Sequence, residues 1–344
     1  MLVHDPYYDI KAVSNSSLRY INPAQGGSPA QFKAHWDGKS ESLKTSSLEF
    51  GNLVHLAVLE PHLLNYQVDK TNTPDRVRDV VKHVFENVKP VEDPFDLGLA
   101  DSQPIGTLKD NQMAVMSALD ATDFNKHWRA ETRLKKIFED GEAYFQLLQV
   151  AAKNDEFVIT EAQATRLDRV LAGLSRDALG SHVIYMADTD AEQQDVEYLN
   201  EQEVTWEEEG YSFPLKGKID RLRIDHANCE FTVIDLKTTS KLLGDFHESF
   251  ANYHYARQMA AYEIAACKFI EQKFGKRYKP SHKHLILAVE TKGEFRAAKF
   301  VVSEESMNAG RAEYKELLDR LQFHFTTNNW IDDREYIESG RYKL

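Results

Sequence analysis

At 344 residues, with 42% hydrophobic side chains and 10 prolines, the chain can bury a sizeable core as one large domain or one domain carrying a helical insertion, so disorder is not its default state. Its only cysteines, Cys229 and Cys267, exclude a disulfide framework and a four-cysteine zinc or iron–sulfur site within one chain, so a bound metal needs oxygen and histidine ligands. The 55 acidic residues outweigh 42 basic ones for a formal charge of −13, which argues against coating nucleic acid with the whole surface and leaves room for a local basic path.

The N-terminal MLVHDPYYDIK is too polar for a signal peptide, and no apolar run approaches the roughly 20 residues that span a bilayer, so a cytoplasmic protein without membrane association is expected. Ser14 to Ile21 (SNSSLRYI) predicts a short helix, because Ser and Asn side chains accept hydrogen bonds from unpaired first-turn amides. Leu48 to Leu59 (LEFGNLVHLAVL) sets Phe50, Val54, Ala57 and Val58 at helical spacing and stops before Pro61, which predicts a buried helix carrying His55. Asp75 to Glu156 alternates charged, amphipathic stretches with the loop-like VEDPFDLGLADSQPIG and shows no catalytic spacing, so it reads as a helical insertion within a single domain spanning 1–344. Thr160 to Leu174 is an amphipathic helix, capped by Thr160 and striped by Ala164, Leu167, Val170, Leu171 and Leu174.

The period then shortens. Val204 to Trp206, Tyr211 to Ile224 and Glu230 to Leu236 show two-residue alternation or β-branched runs parted by turn signals, which predicts an antiparallel meander. A long helix over Tyr253 to Phe274 follows, then strands over His284 to Val289 and Phe295 to Val302, and an amphipathic helix through about Phe325. Together these predict an α/β core with a mixed sheet, whose catalytic part spans 195–302.

In FTVIDLKTT, side chains alternate between faces, so Asp235 and Lys237 lie side by side in a strand that otherwise reads as core. Burying a carboxylate and an ammonium costs several kcal/mol unless they are paired or bind a metal. Asp220, 15 positions earlier, can face Asp235 across the hairpin, so that two carboxylates and a lysine converge. The D/E-x-K spacing also occurs at Asp9, Asp37, Glu290 and Glu313, but only Asp235 sits in an apolar strand that leads to a helix with Gln258 and Tyr262 on one face.

KGKIDR, VIDLKTT, the Gln258-x3-Tyr262 helix and the GNLVH histidine, together with VSNSSLRY and FGNLVHLAVLEP, resemble the PD-(D/E)XK nucleases. Within that group they are similar to the RecE-type (exonuclease VIII-like) recombination exonucleases, relatives of lambda exonuclease and the RecB nuclease domain. The resemblance implies a restriction-endonuclease-like core in which His55, Asp220 and Asp235 ligate Mg2+, with Mn2+ able to substitute and the carbonyl of Leu236 as a further ligand. Lys237 would position or activate the attacking water, while Gln258 and Tyr262 would hold the lysine, a water or the DNA backbone. Such chemistry suits a hard cation that neutralises the phosphate and acidifies a water. Glu201 or Glu203 is a further candidate acid. Ser14 and Ser16 match the region where lambda-type exonucleases hold a 5′-phosphate, with Lys11 or Arg19 in place of an arginine. Lys216, Lys218, Arg221 and Arg223 alternate with apolar residues, as in a strand with one face toward DNA phosphates.

The implied activity is removal of the 5′ strand from a double-stranded DNA end, leaving a 3′ overhang for a single-strand annealing protein in phage-type recombination. A ring-shaped homo-oligomer would reconcile an acidic exterior with a basic pore. Two alternatives remain at this point. One is an endonuclease or CRISPR-adaptation-type nuclease of the same class, although its cluster-bearing members need four cysteines. The other is an inactive DNA-end-binding module, which has no need of the complete Asp220, Asp235 and Lys237 set.

Overall fold

The computed structural model describes residues 5–40, 45–87, 106–176 and 195–341. They pack as two compact units, one of His62–Arg166 and a larger one of Asp5–Pro61 with Leu167–Leu344. The larger unit opens with a 3-10 turn at Ser17–Tyr20, then α1 (Pro29–Trp36) and α2 (Ser46–Leu59), whose first-turn amide at Leu48 is capped by Thr45. The helix expected over Ser14 to Ile21 is this single turn, whose start Ser14 and Ser17 cap by bonding each other's amides reciprocally.

The smaller unit holds β1 (Tyr66–Asp69), α3 (Asp75–Asn87), α4 (Gln112–Ala121), α5 (Ala130–Asp140), α6 (Glu142–Lys153) and β2 (Phe157–Thr160). Val77, Val80, Val81 and Val84 recur at helical spacing along α3 and pack with Val115, Ile137 and Phe145 of the next three helices. The helices expected over 75–156 are these four; most of VEDPFDLGLADSQPIG lies outside the described residues. The parallel pairing of β1 with β2, in register Tyr66↔Phe157, was not anticipated: each strand is four residues long, and their partners lie far apart in sequence.

From Leu167 onward the chain returns to the larger unit along α7 (Glu161–Arg176), whose start is capped by Thr160 as expected. Its six-stranded sheet runs β3 (Val196–Trp206), β4 (Leu215–Asp225), β5 (Glu230–Thr239), β7 (Leu285–Glu290) and β8 (Ala297–Val301), with the short β6 (Lys279–Pro280) also against β5. β3, β4 and β5 are antiparallel, β5 and β7 parallel, and β7 and β8 antiparallel, so the sheet is mixed as expected. Parallel neighbours need a crossover. Here it contains the unanticipated α8 (Phe246–Asn252) and α9 (Tyr255–Phe274), the long helix expected from Tyr253, parted by His254 in a left-handed backbone (φ 55°). The C-terminal helices are α10 (Glu304–Thr327) and α11 (Arg334–Ser339).

Small residues let the helices approach the sheet and each other. Ala260, Ala265 and Ala266 of α9 join Leu317, Leu318 and Leu321 of α10 in the main core with Ile219, Leu222, Val233 and Ile286 of the sheet. At Gly310 any Cβ would collide with the carbonyl of Ala256, so glycine sets the α9–α10 crossing. The result is an α/β fold with a central mixed sheet flanked by helices. Among the described residues, no helix is long and apolar enough to cross a membrane.

One irregularity in this sheet positions the site. In β4 the core-facing residues are Leu215 and Ile219 early on and Leu222 and Ile224 later, a change from odd to even positions across Asp220. β3 changes in step, from Val204 and Trp206 back to Leu199. Between the pairs Asn200↔Arg221 and Gln202↔Ile219 the ladder misses one rung, and there Glu201 takes a left-handed φ of 49°.

Candidate active site

The antiparallel β4–β5 ladder ends at Arg221↔Ile234, one step short of setting Asp220 opposite Asp235. Beyond that step the backbone amide of Leu236 donates to Asp220 Oδ2 at 2.9 Å. Asp235 is fully buried, and Lys237 Nζ donates to its Oδ1 at 2.7 Å. Gln258, one turn into α9, donates through Nε2 to the same Oδ1 at 3.2 Å and to the Tyr262 hydroxyl at 2.9 Å. The four-residue spacing therefore works as a bracket from helix to strand. The other oxygen, Asp235 Oδ2, is buried without a hydrogen-bond partner. A buried carboxylate oxygen with no donor is costly unless a cation or proton faces it.

His55 reaches this cluster from α2. Gly51, one turn earlier, allows the helix to lie against β5: a Cβ there would sit 3.3 Å from Thr238 Oγ1. At the helix end, Asn200 Nδ2 donates to the carbonyl of Leu59 at 2.8 Å, which ties α2 to β3. His55 Nδ1 then stands 3.6 Å from Asp220 Oδ2 and 4.0 Å from Glu201 Oε1, and the ring bonds the backbone of Leu236. One ligand atom each from His55, Glu201 and Asp220 lie within 4.8 Å of one another, a donor set of one imidazole and two carboxylates that fits a divalent cation. Asp235, with its unpartnered oxygen, adjoins them.

Glu201 ranked low from sequence, level with Glu203. The structure separates the two: Glu201 joins the cluster at the missing rung, whereas Glu203 pairs with Lys218 at 3.3 Å. The signal that points to Glu201 is register, since continuing the β3–β4 pairing sets it across from Asp220, but this requires β3 to extend back to Val196 through a polar stretch that hides its alternation.

Burial dominates the electrostatics, and crowding of acids adds to it. Burial, then the charge of Asp220, pushes Glu201 up to about 8. Burial raises Asp235 to about 6, with Lys237 opposing and Asp220 reinforcing, and burial also raises Asp220. Burial and the Lys237 charge lower His55 to about 4, so its imidazole is neutral and available as a ligand near pH 7. For Lys237, burial alone would favour the neutral amine, but Asp235 and Asp220 outweigh it and hold the ammonium charged.

The residues expected to face DNA are placed less simply. Ser14 is buried and bonds Ser16 side chain to side chain at 2.9 Å. Both line a cavity of about 160 Å³ that also touches Gln258 and Tyr262, so the serines adjoin the site. Arg19 does not line this cavity; it is exposed beside the Tyr20 ring. The basic row on β4 needs correction. Lys216 is buried and donates to the carbonyls of Tyr7 and Ile10, because the N-terminal segment covers that face. Lys218 is held by Asp5 at 2.6 Å and by Glu203 and Glu201, and buried Arg221 donates to Asn200 and lies over the Tyr198 ring. Arg221 is thus committed inside the protein, whereas Lys216 and Lys218, though held by partners within the chain, line the same cavity as Ser14 and Ser16.

Buried carboxylates from adjacent strands, a lysine two residues beyond one of them, and a helix that brackets that pair make up a PD-(D/E)XK-like domain. The chain belongs to the family described as "PDDEXK-like domain of unknown function (DUF3799)", whose model matches residues 14–341. No curated protein matches in sequence. Among solved structures, the chain is similar to one from Eubacterium rectale named "Putative exonuclease", at 10% identity and a TM-score of 0.47 over 100% of this chain and 95% of that one, a likeness too distant to bear on chemistry.

Proposed function

We propose that the protein is a Mg2+-dependent exonuclease that hydrolyses one strand of double-stranded DNA from a 5′ end and leaves a 3′ single-stranded overhang. The observation that carries the hydrolytic part is the buried, donor-less Asp235 Oδ2 beside the His55, Glu201 and Asp220 cluster, with a charged lysine fixed on the same aspartate. In this reading His55, Glu201, Asp220 and Asp235 would hold the cation with help from the Leu236 carbonyl. Bound there, Mg2+ would neutralise a phosphate oxygen and acidify a water. Lys237 contributes a fixed positive charge beside the scissile phosphate, and Gln258 keeps Asp235 and the lysine in one orientation. That orientation exists before substrate arrives, so little reorganisation is needed during reaction.

The end-directed and 5′-specific parts are supported by the RecE-type resemblance and by the Ser14–Ser16 cavity next to Gln258, which suits a terminal phosphate. A single-strand annealing partner, a ring-shaped oligomer and a role in recombination extend the same resemblance. The test is digestion of 5′-phosphorylated linear duplex in Mg2+ with each strand end-labelled, comparing wild type with Asp235→Ala and Lys237→Ala. Loss of the 5′ strand alone in wild type, and of neither strand in the variants, is expected. Cutting of a covalently closed circle would instead establish an endonuclease.

A further inference from the structure

We propose that Tyr253 is a nucleobase-stacking position for the DNA strand held at the site, an assignment that rests on the nuclease reading above. Tyr253 is 63% exposed. Its ring lies 5.7 Å from that of Tyr255, tilted by 30°. Tyr255 in turn carries Lys237 Nζ over its face at 5.2 Å and is backed by Phe246 and Phe250. An aromatic column thus leads from the lysine to solvent, and Tyr253 is its open end. By the two centroid distances Tyr253 stands within about 11 Å of the lysine nitrogen, the span of roughly three nucleotides at 3.4 Å each.

The turn that presents this ring is fixed before any ligand binds. The amide of Tyr253 donates to the Ser249 carbonyl and that of His254 to the Ala251 carbonyl. His254 holds a left-handed backbone, costly for a residue with a side chain, and its imidazole lies 2.8 Å from Glu313, which also accepts from buried Arg257. A continuous helix from α8 into α9 would avoid this strain. The break instead leaves an exposed tyrosine one ring beyond the one that Lys237 covers. A flat, rigid ring with a supporting ring behind it is the chemistry that recognises nucleobases without regard to sequence. Such sequence tolerance is what a nuclease that advances along DNA requires.

The test is steady-state cleavage of linear duplex in Mg2+ by wild type, Tyr253→Ala and Tyr253→Trp, paired with fluorescence of 2-aminopurine placed within three nucleotides of the 5′ end. The fluorescence arm uses Asp235→Ala protein, with and without Tyr253→Ala, so that DNA binds without being cut. The alanine change should raise KM roughly tenfold with a much smaller effect on kcat. Tryptophan should restore KM, and 2-aminopurine quenching on binding should be lost with alanine. Unchanged KM and unchanged quenching in an enzyme that cleaves normally would overturn the assignment. A wild-type protein that leaves all DNA intact would overturn the nuclease reading, and this inference with it.

Discussion

Glu201 offers the sharpest test of the site's electrostatics, because its carboxyl is crowded against Asp220 and is 87% removed from solvent. Raising it from an ordinary 4.5 to about 8 makes ionised Glu201 cost up to about 5 kcal/mol in the metal-free fold, at 1.36 kcal/mol per pH unit. Because the folded value exceeds the unfolded one, this contribution is complete below about pH 4.5, is lost as pH climbs to about 8 and stays lost above it. Glu201→Gln has the same size and the same left-handed backbone but cannot ionise. In EDTA at pH 9 the variant should therefore unfold at a higher temperature than wild type, by roughly 2–4 °C for each kcal/mol recovered. At pH 4.5 the two should coincide. With Mg2+ the order should invert, since wild type gains binding energy that the variant has partly given up. Thermal melts at both pH values, with EDTA and with Mg2+, provide the assay. A variant no more stable than wild type at pH 9 in EDTA would show that Glu201 is neither desolvated nor crowded by Asp220, and the cation cluster would lose its basis.

Three further outcomes follow from the same geometry. Divalent-cation affinity should rise between about pH 5 and 9 as Asp235 (about 6) and Glu201 (about 8) release protons, with no contribution from His55, already neutral above about 4; calorimetry in buffers of different ionisation enthalpy would count the protons, and pH-independent affinity would contradict the assignment. Gly51→Val should push α2 away from Thr238 and carry His55 with it, at a stability loss of about 1–3 kcal/mol and with weaker metal binding, read by denaturant melts and metal titration. Arg257→Ala should cost about 3–5 kcal/mol by leaving Glu313, Gln25 and Asn15 without their shared donor, whereas Arg257→Met paired with Glu313→Leu should recover most of that loss in chemical denaturation.

Much of this site could be read in the sequence because strands encode faces. Two charges two residues apart in an apolar strand must share a side, and the hairpin length sets Asp220 against Asp235. The helix bracket was readable for the same reason, since Gln258 and Tyr262 are one turn apart. What escaped depended on long-range pairing. Glu201 becomes visible only when β3 is registered against β4, and its own segment is too polar to declare a strand. The basic residues of β4 misled for a related reason: alternation shows which side a lysine takes, not what covers that side, and for Lys216 the cover comes from Tyr7 and Ile10, two hundred residues earlier. The short α8 before His254 also escaped, since seven residues carry little helical periodicity, whereas the turn that parts it from α9 is held by a contact between His254 and Glu313 on another element.

The early end of the β4–β5 ladder, at Arg221↔Ile234, has a consequence for anyone who would transplant this site. In an unbroken hairpin the amide of Leu236 would be spent on main-chain pairing; here it is aimed at Asp220 instead. Copying the four acidic and basic side chains onto a regular β-ribbon would thus leave one carboxylate unoriented. The defect in the ribbon has to travel with them, which makes an interruption of secondary structure as much a part of the candidate site as any functional group.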